Sequence, residues 1–154
     1  LKFLMEALII SSDQNNLIST LLERKVISIN ENDSLYDAIK VLSEQKIGAL
    51  PVLNNQKKLS GMLSERDIIQ KVSFNKTIDL SHTQIKSIMT TKIITCNQDT
   101  ESNVLMTIMT NNKIRHIPII KQGSLIGIVS IGDVVKRLLE KFNLENAELK
   151  SWLY

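Results

Sequence analysis

Two short stretches of this chain set a hydroxyl and a carboxylate at a fixed spacing: Gly61-Met62-Leu63-Ser64-Glu65-Arg66-Asp67 and Gly127-Ile128-Val129-Ser130-Ile131-Gly132-Asp133. In each, an apolar run suited to a strand ends at Ser and passes into a helical pattern, with Asp three residues on. A helix N-terminus carries unpaired backbone N–H groups and a partial positive charge, so it suits an oxyanion such as phosphate. An aspartate one turn in can accept hydrogen bonds from a sugar diol, as carboxylates do for ribose in other nucleotide folds. The simpler use of the same residues is a capping box that closes off the helix. Ser34-Leu35-Tyr36-Asp37 has that spacing too and reads as a plain cap. Repetition in a fixed context sets the other two apart.

The elements around these corners follow from apolar periodicity and turn residues. Gln14 to Arg24 predicts a leading helix, and Val26 to Ile29 a β-branched strand. Ser34 caps a helix whose apolar face is Leu35, Ala38, Ile39 and Leu42, broken at Lys46-Ile47-Gly48. Ala49 to Leu53 predicts a strand in which Pro51 implies an edge or an interrupted ladder. A turn at Asn54 to Lys57, a strand from Lys58 to Leu63 and a helix over Asp67 to Val72 complete the unit. Residues 73–83 are loop-like, and Gln84 to Met89 form a helical connector. The order then recurs: a strand at Ile93 to Cys96, a helix over Thr100 to Asn112 with Val104, Leu105, Ile108 and Met109 inward, and strands at His116 to Ile120 and Leu125 to Val129. A helix from Ser130 runs to about Phe142, and a last helical stretch spans Leu144 to Leu153.

A shift of 67 residues lays Ile27 on Ile94, Ser28 on Thr95, Asn30 on Asn97, Lys46 on Lys113 and Pro51 on Pro118. After the hairpin turn the shift is 66, and Gly61, Ser64 and Asp67 meet Gly127, Ser130 and Asp133. The expected class is therefore α+β: tandem β-α-β-β-α repeats with pseudo-twofold symmetry, plus flanking helices. Each copy is marginal as an independent core, so the two should bury a shared face. The expected divisions are an extension at 1–13, a first repeat with its leading helix at 14–75, a linker at 76–90, a second repeat at 91–142 and a terminal helix at 143–154.

Composition narrows the chemistry. Of 154 residues, 43% are hydrophobic but only 4% aromatic, so stacking platforms for single-stranded nucleic acid are scarce. A net charge of +3 suits a phosphate-bearing ligand and falls short of a dedicated nucleic-acid surface. The single cysteine, Cys96, excludes an internal disulfide and a thiolate cluster and points to a reducing, cytoplasmic home. No run reaches membrane-spanning length. Glu6 interrupts the apolar opening, and no small-residue cleavage site follows, so no secretory signal is expected.

If the three strands of each repeat share a sheet, Ser28 or Thr95, Pro51 or Pro118, and the Ser–Asp pair can converge at its edge. Each proline removes a ladder donor and leaves nearby backbone groups free to read a base edge. Ile27 and Leu50, or Ile94 and Ile117, could sandwich a planar ring. Arg66, Arg115 and His116 are candidates for phosphate, with Arg favoured by its forked donors.

Together, in order and twice over, Ile47-Gly48-Ala49-Leu50-Pro51-Val52 with the Gly61–Asp67 stretch, and Ile114-Arg115-His116-Ile117-Pro118-Ile119 with the Gly127–Asp133 stretch, resemble the cystathionine-β-synthase (CBS) domain. The two copies resemble a CBS pair, or Bateman module, over roughly residues 14–140. The ending resembles small stand-alone bacterial CBS proteins, related to the regulatory insert of inosine-monophosphate dehydrogenase. The resemblance implies a regulatory sensor, not an enzyme, that binds AMP, ADP, ATP, S-adenosylmethionine or NAD in the cleft between the copies and requires no metal. It implies that Asp67 and Asp133 hold ribose hydroxyls and that Ser64 and Ser130 hold phosphate. Ser28 and Thr95, with the backbone before each proline, would border adenine. It further implies a homodimer, a contact Trp152 and Tyr154 could serve, and an unknown regulated protein.

The halves differ. Gly48-Ala49 stands where the second copy has Arg115-His116, and Arg66 where it has Gly132, so the two sites should be unequal. Two rivals remain. Cys96 with His82 or His116 could form a nucleophile and base, but a cysteine in an apolar strand is usually buried structure. A scaffold for protein or nucleic acid, with no small ligand, is the alternative that the mild basic charge permits.

Overall fold

A computed structural model describes residues 17–153, which fall into two compact units, each with its own aliphatic core. The expected extension at 1–13, the start of the leading helix and Tyr154 lie outside the described residues. One unit spans Val26–Thr95 with Lys121–Leu125. The other contains, among the described residues, 17–25, Cys96–Ile120 and 126–153.

In the first unit, β1 (Ile29–Asn30) pairs in parallel with β2 (Ala49–Leu53), which pairs antiparallel with β3 (Leu59–Ser64). Two helices, α2 (Leu35–Gln45) and α3 (Glu65–Phe74), accompany this sheet. Alternation along β3 buries Gly61 and Leu63, and spacing along α2 buries Leu35, Ala38 and Leu42. These residues, with Ile29, Leu50, Val52, Ile68 and Ile85, make one core. Ile85 begins the expected helical connector, which is a short 3₁₀ turn (Ile85–Ser87). Met89 and Thr90 follow along β3, and Thr90 exchanges backbone hydrogen bonds of 2.8 and 2.9 Å with Met62.

The second unit has the same order. The second repeat comprises α4 (Ser102–Asn112), the hairpin strands β4 (His116–Lys121) and β5 (Ser124–Ser130), whose tip, Lys121–Leu125, is counted with the first unit, and α5 (Ile131–Leu153). Its core joins Cys96, Leu105, Met109, Ile117, Ile119, Val129 and Val134 to three residues of α1 (Leu17–Leu21): Leu17, Ile18 and Leu21. The leading helix, which sequence order groups with the first repeat, thus buries its apolar face in the core of the second.

Several local expectations change. Pro51 lies in the middle strand of its sheet, not at an edge; the ladder is nevertheless interrupted there. Pairing with β1 begins only at Ile29↔Val52, the residue after the proline, and no backbone hydrogen bond ties Val26, Ile27 or Ser28 to β2. The equivalent strand of the second repeat is reduced to one parallel bridge, Cys96↔Ile119, again just past a proline. The helix break after α2 is made by Lys46, in the left-handed region at φ 53°, and Lys113 ends α4 in the same conformation. Val104 faces out rather than in, 45% exposed. The two helical stretches expected after Ser130 are one 23-residue helix, because no Gly or Pro follows Gly132 to interrupt it.

Candidate functional site

All three Ser-x-x-Asp sequences fold as capping boxes. At the first corner the Ser64 hydroxyl accepts the Asp67 N–H at 3.3 Å, while Asp67 Oδ2 accepts the Ser64 N–H at 2.8 Å and its hydroxyl at 2.9 Å. At the second, the matching distances for Ser130 and Asp133 are 3.2, 2.9 and 2.9 Å. Ser34 and Asp37 form the same arrangement. Capping therefore explains why Asp recurs at this spacing, and a cap contributes about 1 kcal/mol to its helix. The acceptor of the first helical N–H separates the two Gly-containing corners from Ser34: Leu35 donates to the Thr83 carbonyl at 2.8 Å, whereas Glu65 and Ile131 donate to the carbonyls of Gly48 and Arg115 just before the proline strand, at 3.0 and 2.8 Å. Each corner is thus fastened to the strand that carries Pro51 or Pro118.

The glycine three residues before each serine has a packing reason. A Cβ at Gly61 would come within 2.5 Å of Met89 Sδ and 3.0 Å of the Thr90 carbonyl. A Cβ at Gly127 would meet Ile119 Cδ1 at 3.1 Å and Leu22 Cδ2 at 3.2 Å. Met89 stands 67 residues after Leu22, so each repeat receives an equivalent preceding segment over its glycine.

The carboxylates differ in what else they hold. Among the described residues, Asp67 Oδ1 has no hydrogen-bond partner. Asp133 takes a bidentate pair from Arg24, Nη1 to Oδ1 at 3.2 Å and Nη2 to Oδ2 at 2.8 Å. Burial opposes charge at Asp133, but Arg24 and the two Ser130 donors outweigh it and hold this carboxyl below the usual aspartate value. Arg24 is the participant that the sequence did not reveal.

The remaining expected residues are placed as follows. Ser28 and Thr95 are exposed, each immediately before its proline-limited pairing, with Ile27 and Ile94 half-buried beside them. Pro51 and Pro118 are buried, and the Leu50 and Ile117 side chains lie fully inside their own cores, so what they offer beside the prolines is backbone rather than a sandwiching surface. Arg66 and Arg115 are exposed, and His116 is half-buried. Desolvation pushes the Cys96 thiol up to about 11, which keeps it protonated and poorly nucleophilic at neutral pH. His82 Nδ1 lies 2.7 Å from Asp79 Oδ2 on an exposed loop. Among the described residues, no group of three His, Cys, Asp or Glu side chains is placed to hold a metal ion, and no helix is long and apolar enough to cross a membrane.

Two α/β units with matching Ser–Asp corners define a tandem-repeat module. The CBS domain family model matches residues 18–73 and 85–140, and the chain belongs to this family as a CBS domain pair. It is 37% identical over 126 residues to a mitochondrial CBS domain-containing protein of Arabidopsis thaliana, covering 79% of this chain and 61% of that protein. It is 30% identical over 115 residues to inosine-5'-monophosphate dehydrogenase of Methanocaldococcus jannaschii, covering 74% of this chain but 22% of the enzyme. The chain thus spans less than two thirds of either relative. Among solved structures, it is similar to the CBS domain pair of protein MJ0100 in complex with 5'-methylthioadenosine and S-adenosyl-L-methionine. That similarity has a TM-score of 0.72 and 26% identity, and covers 82% of this chain and 98% of the other.

Proposed function

We propose that this CBS pair is a regulatory, non-catalytic module that binds an adenosine-containing ligand at its Ser–Asp corners. The observation that carries the reading is the division of labour at Asp67. One carboxylate oxygen is committed to the helix cap, and the other has no protein partner among the described residues. Such a carboxylate can cap its helix and accept a sugar hydroxyl at once, so the structural and ligand roles do not compete. The complex of the MJ0100 pair with two adenosine compounds supports the ligand class. AMP, ADP, ATP, S-adenosylmethionine and NAD are the compounds to test.

In this reading Asp67 and Asp133 take ribose hydroxyls, and Ser64 and Ser130 lie beside phosphate. Ser28, Thr95, Ile27 and Ile94 border the base, with the backbone at Leu50-Pro51 and Ile117-Pro118. Arg66 and Arg115 supply positive charge, and His116 a ring nitrogen, for phosphate. Ligand binding shifts a homodimer between two arrangements by its differential affinity for them, and a partner protein responds to the result. A reducing, cytoplasmic setting suits the free, buried Cys96.

A thermal-shift screen of the full chain tests the ligand class, since a compound at 100 times its Kd stabilises the folded state by about 2.7 kcal/mol. At least one adenosine compound should raise Tm, and the double variant Asp67→Asn/Asp133→Asn should abolish the shift. No shift with any of them would leave the scaffold reading in possession.

A further inference from the structure

We propose that Arg24 is an internal competitor for the sugar-binding face of Asp133, so that the two repeats are unequal binders and the Asp67 corner is the open one. The proposal rests on the adenosine reading above and adds which corner is available, and why.

The two corners share their cap but not their occupancy. Among the described residues, only the cap donors approach Asp67, and they use Oδ2. At Asp133 the guanidinium engages both oxygens, Oδ1 at 3.2 Å and Oδ2 at 2.8 Å, in addition to the cap. A bidentate Arg–carboxylate pair is stronger and more directional than a hydrogen bond between neutral groups. A sugar diol is neutral, so to reach Asp133 it must displace a charged donor from the atoms it needs. At Asp67 Oδ1 it displaces nothing that the described residues supply. The Arg24 side chain is 52% exposed and that of Asp133 18% exposed, so the arginine can swing into solvent while the carboxylate stays in place.

One residue encodes the difference. Arg24 follows Leu22 by two positions, and Leu22 lies over Gly127 as Met89 lies over Gly61. The residue two positions after Met89 is Thr91, with no charge and no reach comparable to a guanidinium. The preceding segment of each repeat therefore arrives at an equivalent place, and only one of the two brings a guanidinium at that position; the lysines that follow, Lys25 and Lys92, are common to both.

The test is calorimetric titration of the full chain with adenosine, a neutral probe that carries no phosphate to attract a freed guanidinium. Asp67→Asn isolates the second corner and Asp133→Asn the first. Adding Arg24→Ala to Asp67→Asn should tighten adenosine binding about five- to tenfold, and adding it to Asp133→Asn should leave the affinity unchanged. Adenosine binding at the second corner that is unchanged or weakened by Arg24→Ala overturns the competitor while leaving the adenosine reading intact. No heat in either single-corner background overturns both. A ligand-free readout runs alongside: the Asp133 carboxyl, followed by NMR, should titrate at higher pH in Arg24→Ala, and an unmoved titration overturns the pair itself.

Discussion

Asp67 and Asp133 occupy the same place in two copies of one fold and keep different company. Both close a capping box on the helix that follows their strand, with distances that agree to within 0.1 Å. Beyond the cap, Asp133 is held by an arginine from 109 residues away, and Asp67, among the described residues, by nothing comparable. What the copies share is what folding requires: a glycine under an arriving segment, a proline that ends the ladder, and a serine–aspartate cap. Where they differ is where binding can differ, at Arg24 against Thr91, at Arg66 against Gly132, and at Gly48-Ala49 against Arg115-His116.

The cores should be the most costly place to disturb and the least able to distinguish the repeats. Leu50 and Ile117 stand 67 residues apart and are both 0% exposed. Truncating either to alanine should cost about 2–5 kcal/mol by urea denaturation. Costs that differ by more than that range would show that the two units are not equivalent frameworks.

The motif glycines come next and should already diverge. Gly61→Ala drives a methyl into Met89 and toward the fixed Thr90 carbonyl, an overpacking cost of about 1–3 kcal/mol. At Gly127 the atoms in the way are flexible side-chain ends, Ile119 Cδ1 and Leu22 Cδ2, so Gly127→Ala should cost less in the same assay. The reverse order would contradict the packing described over the two strands.

The carboxylates give the smallest effect on stability and the sharpest contrast. Because Asp133 is held below its ordinary value of 3.8 in the folded protein, its contribution is fully present above that value. It is lost as pH falls through the lower, folded value. The acid limb of a stability–pH profile should therefore flatten in Arg24→Ala, by about 1 kcal/mol or less for a pair with one partner half exposed. An acid limb unchanged by that substitution would mean that the arginine does not stabilise the charged carboxylate.

Much of this arrangement was legible in the sequence. The repeat, its change of register in the hairpin turn and the capping residues are local patterns, and local patterns survive folding. The apolar spacing located the helices, yet it placed Val104 inside because a β-branched residue next to Leu105 fits either side of the stripe. It divides α5 at Asn143, a residue that a helix carries without a break. The first strand of the second repeat shrank to a single bridge because Pro118 removes the donor that would extend it, an effect the sequence suggested without giving its extent. Their place beside the prolines suggests Leu50 and Ile117 for a ligand, but alternation along the strand turns their side chains into the core. Arg24 was invisible, because no spacing rule links an arginine after the first helix to an aspartate opening the last. Only tertiary folding brings them together.

The central claim is that these capping corners also receive a nucleoside. The most direct test is to follow backbone amide resonances of the full chain during titration with AMP. The account predicts saturable shifts at Ser64 and Asp67 at lower ligand concentration than at Ser130 and Asp133, while Ser34 and Asp37, a cap of the same geometry, stay still. Shifts that spare both motif corners, or that move the Ser34 cap equally, would contradict it.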